Sequence, residues 1–175
     1  MNSFYKFFSI FLILLSISSF FIGFIYGENS AGAGGFRGDF QNTWGNLQLF
    51  LNNDITTALS ITANADQNVF VSARTPLIYI LHKLFNPFVE NKIIFIRSVF
   101  VISLSLPFLF YLCLREKFKE KENLLLILIS SIVLLSPYFR TSAFWAGEEN
   151  FGLISLLISF IFLNKFLSNN KNIFK

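Results

Sequence analysis

The chain has 175 residues, of which 54% are hydrophobic and only 14% are charged, and its formal net charge at pH 7 is +4. A soluble domain carries about 25% charged residues, so this composition argues against a soluble globular protein and favours a membrane protein. The single cysteine, Cys113, lies inside an apolar run, which excludes both a disulfide framework and a cysteine-based metal site.

Four apolar runs predict an all-α polytopic membrane protein. They cover residues 7–26, 93–114, 124–138 and 151–166. A helix needs about 20 apolar residues to cross a bilayer, so the third run is short for a span. We expect each run to form one transmembrane helix, and the whole chain to form a single membrane domain of four spans.

The first apolar run has a rival interpretation as a secretory signal peptide. Ala31-Gly32-Ala33 loosely resembles a small-residue cleavage site. The hydrophobic regions of signal peptides have roughly 7 to 15 residues, however, whereas this run has about 20. Glu28 also stands close to the supposed cleavage point. We therefore expect an uncleaved membrane anchor.

The long polar segment at 27–92 is predicted to hold two short helices that lie along the membrane surface. In the first, at about 42–58, apolar residues recur at spacings of three and four, and Trp44 is the expected interfacial anchor. The second, at about 76–85, starts after Thr75, which is a good N-cap residue. About ten residues are too few to cross a bilayer, so we expect an interfacial helix.

The basic residues predict the orientation of the chain. If there are four spans, Lys6, the loop at 115–123 and the C-terminal tail fall on one side, which we expect to be cytoplasmic together with both termini. The loops at 27–92 and 139–150 then face outward. We expect a multi-pass integral protein of a bacterial inner membrane. Membrane lipids rather than nucleic acid are its expected partners, because the basic residues are scattered at the ends of apolar runs and are not gathered on a soluble face.

Asp39, in the sequence Gly38-Asp39-Phe40, is the candidate catalytic residue. It follows the first span in a glycine-rich loop on the predicted outer side. A carboxylate there suits a general base toward an acceptor hydroxyl, or a ligand of a divalent cation that faces a phosphate. The alternative is a solvated loop aspartate without a catalytic role.

Arginines and glutamates on the predicted outer side are the candidate substrate-binding residues. Arg37, Arg74 and Arg140 carry guanidinium groups that bind phosphate in a bidentate way, although each one could instead contact lipid headgroups. Glu148 and Glu149 precede the fourth span, where acids also stabilise the N-terminus of a helix. Only convergence of these side chains in space would favour a binding site over these alternatives.

His82, the one histidine of the chain, is predicted to lie on the polar side of the second short helix. There is no second histidine, and no acid lies at helical spacing from it, so a metal site is not expected there. We expect His82 to pack at a surface or an interface.

Four segments follow one another in an order that is informative beyond any single motif. They are Gly38-Asp39-Phe40, the helix from Trp44 to Ala58, Arg74-Thr75-Pro76-Leu77-Ile78-Tyr79, and Ser136-Pro137-Tyr138-Phe139-Arg140-Thr141. This order resembles the N-terminal part of GT-C type membrane glycosyltransferases, which use polyprenyl-phosphate-linked sugars. In that family the first span leads into a long outer loop with an essential acidic motif and two helices parallel to the membrane, followed by hairpins of spans.

The resemblance implies sugar transfer outside the cytoplasm, by direct displacement at the anomeric carbon with inversion of configuration. Asp39 would be the base or the acid that faces a divalent cation. Arg74 or Arg140 would steady the donor phosphate. Glu148 or Glu149 would line the acceptor side.

Members of this family usually have many more spans than the four predicted here. The chain would then be a truncated product, a chain that needs a partner to supply the missing spans, or a relative without activity. The main alternative function is a non-catalytic membrane subunit whose outer loop docks a partner. A transport function is disfavoured because the predicted spans contain almost no ionisable residues.

Overall fold

The computed structural model describes residues 3–29, 35–63, 76–119 and 121–169. Within these ranges every regular element is helical, which confirms the predicted all-α class. The elements are α1 (Ser3–Ile25), α2 (Gly35–Asn52), α3 (Ile55–Ala63), α4 (Leu77–Phe85), α5 (Lys92–Ser103), α6 (Ser105–Lys117), α7 (Asn123–Ser131), a 3₁₀ turn (Ile132–Leu135), α8 (Pro137–Phe144) and α9 (Glu149–Asn169). The supposed cleavage site at Ala31 to Ala33, the candidate Arg74 and the predicted N-cap Thr75 lie outside the described residues.

Within the part of the chain that the structure describes, three helices are long and apolar enough to cross a bilayer, which makes the chain an integral membrane protein. They are Ser3–Ile25, the α5–α6 pair at Lys92–Lys117 and Glu149–Ser168, with mean hydropathies of 2.5, 2.2 and 1.9. The second is interrupted at Leu104, between α5 and α6. Pro107 explains the break, since it has no N–H to donate to the carbonyl of the residue four positions earlier.

The third predicted span, 124–138, does not form one straight helix. The segment Asn123–Leu135 is followed by Ser136, and the axis of α8 makes an angle of 65° with the axis of that segment. Ser136 has an extended backbone and accepts a hydrogen bond from the N–H of Phe139, so it caps α8, with Pro137 as the first helical residue. A residue before proline disfavours the helical conformation, so the chain turns here. The pair forms either a broken span or a re-entrant loop, which gives three spans or four.

The polar segment after α1 is more helical than the sequence predicts. The helix expected at 42–58 is two helices, α2 and α3, separated at Asn53 and Asp54. The Asp54 carboxylate accepts a 2.9 Å hydrogen bond from the N–H of Thr57, which caps α3. Hydrogen bonds from the Thr56 hydroxyl and from Thr57 hold the pKa of Asp54 well below its usual range.

Asp39 lies within α2 and not in a loop, because this helix already begins at Gly35. The side chain of Asn29 explains part of the early start. Its carbonyl oxygen accepts a 3.1 Å hydrogen bond from the N–H of Arg37. This bond satisfies one of the backbone donors that a helix N-terminus leaves without a partner.

Long helices that follow one another in the chain run in opposite directions, so the bundle has two distinct ends. Near the start of α9, Asn150 bonds to Ser103 at the end of α5, and near its end Asn164 contacts Cys113 in α6, so α6 and α9 run parallel. The C-terminal part of α1 reaches α8, where Ser19 contacts Arg140. We call this the α8 end. The opposite end, which holds residues 116–119, Lys121 and the last turn of α9, is the lysine end.

Two hydrophobic clusters hold the helices together. One joins α2, α4 and α5 around Leu47, Phe50 and Phe95, all almost fully buried. The other joins α1, α5 and α8 around Phe20, which is fully buried. The Phe20 ring stacks against Phe100 and Phe139, at centroid distances of 5.6 Å and 5.5 Å.

Replacing Phe20 with alanine should destabilise the bundle much more than the same change at Phe7. Both lie in α1, but their exposed fractions are 0% and 72%. Phe20→Ala removes a fully packed ring and should cost about 3–5 kcal/mol, whereas Phe7→Ala should change stability by less than about 0.5 kcal/mol. The free energy of unfolding in detergent measures both. Equal losses would contradict the proposed packing of α1 against α5 and α8.

Candidate functional site

An ion pair joins α1 to α8 at the α8 end. Arg140 projects from α8, is 8% exposed, and forms a salt bridge with Glu28 just beyond α1. Its guanidinium also donates to the hydroxyl of Ser19 at 2.9 Å and to the Ser19 carbonyl at 3.0 Å. Arg140, which sequence analysis made a candidate for binding a substrate phosphate, therefore already has its charge neutralised by Glu28.

The turn after α1 directs Glu28 back toward Arg140. Gly27 has a φ of 64°, the N–H of Glu28 donates to the Gly23 carbonyl at 2.9 Å, and the N–H of Gly27 donates to the Phe24 carbonyl at 3.1 Å. These two bonds form a Schellman motif, which glycine favours because it adopts positive φ without strain. Trp145 fixes the turn from the other side, since its indole N–H donates to the Glu28 carbonyl at 2.8 Å.

Gly23 leaves room for the ion pair. A Cβ atom at this position would overlap Nη2 of Arg140 and Oε2 of Glu28, and would lie 3.1 Å from Cε2 of Phe144. The absence of a side chain at Gly23 therefore lets the guanidinium and the carboxylate meet directly against the α1 backbone.

The two predicted glutamates lie where α8 leads into α9, with Glu148 in the turn and Glu149 as the first residue of α9. Glu148 accepts a hydrogen bond from the hydroxyl of Tyr79 in α4, and that hydroxyl also receives a 3.4 Å bond from Asn46 in α2. Glu149 accepts a 3.2 Å bond from the hydroxyl of Ser142. One glutamate thus ties the turn to the helices of the first polar segment, and the other ties it to α8.

The backbone of this turn is held tightly. Ala146 has a φ of 53°, and the N–H of Gly147 donates to the Ser142 carbonyl at 2.7 Å. The amide of Asn150 donates to the Ser103 hydroxyl at 3.1 Å and to the Phe139 carbonyl at 3.3 Å. Both glutamates therefore start from a fixed backbone, which limits the positions that their carboxylates can reach.

The remaining predicted residues approach this region to different degrees. The guanidinium of Arg37 lies 5.5 Å from the ring centroid of Trp145, a cation–π distance that joins α2 to the end of α8. Asp39 is exposed on α2. The structure thus brings Arg37, Arg140 and the two glutamates to the segment at 140–149, while Asp39 lies on an exposed face of α2. Across the described ranges, no three metal-ligating side chains gather into one cluster.

His82 is buried, contrary to its predicted place on the polar side of α4. Its ring makes edge contacts with Phe95 in α5 and Phe151 in α9, at centroid distances of 5.0 Å and 5.1 Å. The side-chain amide of Asn86 lies 3.1 Å from Nδ1. Burial lowers the pKa of His82 from 6.5 to about 4, because desolvation disfavours the charged imidazolium.

Sequence analysis missed the partners of Arg140 and Glu148. Ser19 and Gly23 lie in an apolar run, and Tyr79 has the ordinary appearance of an aromatic residue in a short helix. One signal was present: an arginine next to apolar segments needs a partner when it is buried, and Glu28 is an acid on the same predicted face.

Comparisons with protein-family models, with curated proteins and with solved structures find no match to this chain. Its function must therefore be inferred from its own residues and contacts.

Gly23→Ala should destabilise the protein, whereas Gly152→Ala should not. The new methyl group at Gly23 would separate Arg140 from Glu28, at a cost of about 1–3 kcal/mol for a disturbed buried polar contact. A Cβ at Gly152 in α9 meets nothing within 4 Å, and alanine stabilises a helix by about 0.5–1 kcal/mol relative to glycine. Unfolding in detergent should show opposite signs. A loss of the same size in both variants would contradict a close approach at Gly23.

Acid should destabilise the protein through His82. The pKa is about 4 when folded and 6.5 as a free side chain, so the unfolded state binds more protons in this window and stability falls as the pH decreases through it. The loss should reach roughly 2 kcal/mol near pH 5. His82→Gln, which keeps a polar group toward Asn86, should remove this part of the pH dependence. Parallel stability curves for the two proteins between pH 7 and pH 5 would contradict a neutral, buried His82.

Proposed function

We propose that this chain is a membrane glycosyltransferase-like protein that transfers a sugar from a polyprenyl-phosphate-linked donor at the extracytoplasmic face. The main support is the hydrogen bond between Tyr79 and Glu148. It joins α4, in the polar segment after α1, to the turn between α8 and α9, so that polar residues from two separate parts of the sequence meet at one end of the bundle. A transferase of this type needs such a meeting, because donor and acceptor groups must be held together.

The proposed topology has four spans, with α7 and α8 as one broken span and both termini cytoplasmic. The alternating helix directions support it, since α1 ends and α9 begins at the α8 end. The lysine end, with Lys117, Lys119 and Lys121, would be cytoplasmic by the positive-inside rule. α2, α3 and α4 would then lie as interfacial helices over the outer ends of the spans. The last two have nine residues each and are too short to cross a bilayer.

In the proposed reaction the acceptor hydroxyl attacks the anomeric carbon of the donor sugar. The new C–O bond forms as the bond to the phosphate oxygen breaks, with inversion, and the hydroxyl proton passes to Asp39 as general base. Asp39 could also hold a divalent cation against the phosphate. Glu148 or Glu149 would line the acceptor side.

Arg37 and Arg74 are better candidates than Arg140 for the leaving phosphate. Arg140 is buried and paired with Glu28, and moving phosphate into this pair would require the salt bridge to open. Arg37 is exposed and its guanidinium lies on Trp145. A guanidinium that lies over an indole ring still has N–H groups along its own edge. A phosphate could accept hydrogen bonds from these groups.

A non-catalytic membrane subunit remains the second candidate, because of α9. Only 6% of the span-length window of α9 is buried within the chain. Its apolar side chains would face either lipid or the spans of a partner chain, and the outer helices α2 to α4 would then serve as a docking surface.

Asp39→Asn should abolish transfer without affecting insertion or abundance. Loss of a general base typically lowers the rate by a factor of about 10² to 10⁴. The protein in lipid nanodiscs would be supplied with radiolabelled polyprenyl-phosphate sugars and an acceptor, and release of polyprenyl phosphate would be measured. Glu90→Gln is the matched control, since Glu90 is also exposed in the same polar segment but outside the helices.

Equal transfer by Asp39→Asn and the wild type would remove Asp39 from the reaction. Absence of transfer with every donor would favour the non-catalytic subunit. Cysteines introduced at positions 39 and 149, in a Cys113→Ser background, should be labelled from the same side of the membrane. Labelling from opposite sides would overturn the proposed site altogether.

A further inference from the structure

A cavity at the lysine end lies between the ends of two candidate spans. It has a volume of about 470 Å³, and lysines 117, 119 and 121 line it together with Phe118 and Leu167. Its size falls within the range of about 300–1,000 Å³ that is usual for ligand sites. The spans Lys92–Lys117 and Glu149–Ser168 both end at this cavity, so it lies where the chain passes from the apolar layer into the headgroup region.

Arg115 shapes this cavity from within the last turn of α6. Its Nη1 donates to the carbonyl of Lys119 at 3.1 Å and to the carbonyl of Lys121 at 3.4 Å. These bonds fold the loop back onto the end of the helix. The guanidinium is occupied by backbone carbonyls, while the two lysines that it positions line the cavity.

The charges that line the cavity favour an anion. Among the described residues that line the cavity, three lysines stand against one acid, Glu116, whose carboxylate lies 3.8 Å from Nζ of Lys119. The side chain of Lys119 is 62% exposed, so this pair contributes little and Lys119 can exchange Glu116 for another anion at small cost. The C-terminal ends of α6 and α9 also meet here and repel anions through their partial negative charge. Whole lysine charges outweigh this effect, and Arg115 adds a further positive charge to the last turn of α6.

The apolar residues beside the lysines distinguish a lipid from a soluble anion. Phe118 and Leu167 have exposed fractions of 45% and 50%, and both lie at the cavity that the lysines line. A phosphate group among the lysines would leave its attached acyl chains against these two side chains and along α6 and α9. A free phosphate ion would make no use of them.

From this arrangement we infer a binding site for the phosphate headgroup of an anionic phospholipid, formed by Lys117, Lys119 and Lys121 between the ends of α6 and α9. Basic cavities between spans on the cytoplasmic side are suited to such lipids. The site lies at the opposite end of the bundle from the proposed transferase site, and it rests on the assignment of α6 and α9 as spans and on the proposed cytoplasmic position of the lysine end.

The test compares lipid binding by matched charge variants of the full chain. Native mass spectrometry of the detergent-solubilised protein would measure retained phosphatidylglycerol against phosphatidylcholine. Lys119→Gln/Lys121→Gln removes two charges from the cavity, and Lys6→Gln/Lys165→Gln removes two charges from the same predicted membrane side outside the cavity. The wild type should retain more phosphatidylglycerol than phosphatidylcholine. In the first variant the ratio of the two retained lipids should fall at least about fivefold, and in the second it should change less than about twofold.

Lys119→Arg/Lys121→Arg should keep the preference, and it also shows whether the loop tolerates substitution. The same loss in both glutamine variants would reduce the effect to general surface charge and overturn the site. Absence of any preference in the wild type would overturn it too. Displacement of the lipid by millimolar inorganic phosphate would replace the lipid site with a site for soluble anions.

Discussion

The salt bridge between Arg140 and Glu28 is the contact on which the α8 end depends. A buried guanidinium is costly unless its charge is matched and its N–H groups find acceptors. The chain meets most of this demand with one carboxylate and two oxygens of Ser19, and it does so only because Gly23 leaves space. Among the described residues, Nε of Arg140 has no hydrogen-bond partner. Removing the Glu28 carboxylate would leave the buried guanidinium of Arg140 without its counter-charge, so the pair fixes where α8 can lie relative to α1. The position of α8 then determines the start of α9.

The turn between α8 and α9 carries this constraint to the rest of the molecule. Trp145 contacts the backbone of Glu28 on one side and the guanidinium of Arg37 on the other. Glu148 and Asn150 then reach α4 and α5. Polar side chains of this kind are expensive to bury and specific in geometry, so they select one arrangement among the many that apolar helices alone would allow. Contacts made by the first polar segment and by the last span thus converge on a few residues.

Much of the fold followed from local sequence patterns, because apolar runs and breakers act on their own neighbourhood. The runs at 7–26 and 151–166 correspond to α1 and α9, and the run at 93–114 corresponds to α5 and α6. The bend at Ser136 and Pro137 and the break at Asp54 each had a recognisable signal, since a residue before proline and an aspartate with Thr57 three positions later both favour a boundary. Both boundary signals were present in the sequence. The apolar periodicity around them was given more weight, and continuous helices were predicted instead.

The site was predictable only in part, for a different reason. Sequence reasoning could select Arg140, Glu148 and Glu149 by type and by predicted membrane side. It could not match them with Glu28, which is 112 positions away from Arg140, or with Tyr79, because such pairings depend on the packing of several helices at once. His82 shows the same limit. Its place in α4 was predictable, but the rings of Phe95 and Phe151 that bury it come from two other helices.

The bend between α7 and α8 also affects the surrounding bilayer. The span through α5 and α6 has 26 residues and a length of about 39 Å, whereas the straight part from Asn123 to Leu135 rises only roughly 20 Å at about 1.5 Å per residue. An apolar layer is about 30 Å thick, so the span through α5 and α6 exceeds this thickness while the straight part through α7 falls short of it. Where α7 faces lipid, the apolar layer must therefore become thinner, unless α8 completes the crossing at its angle of 65°.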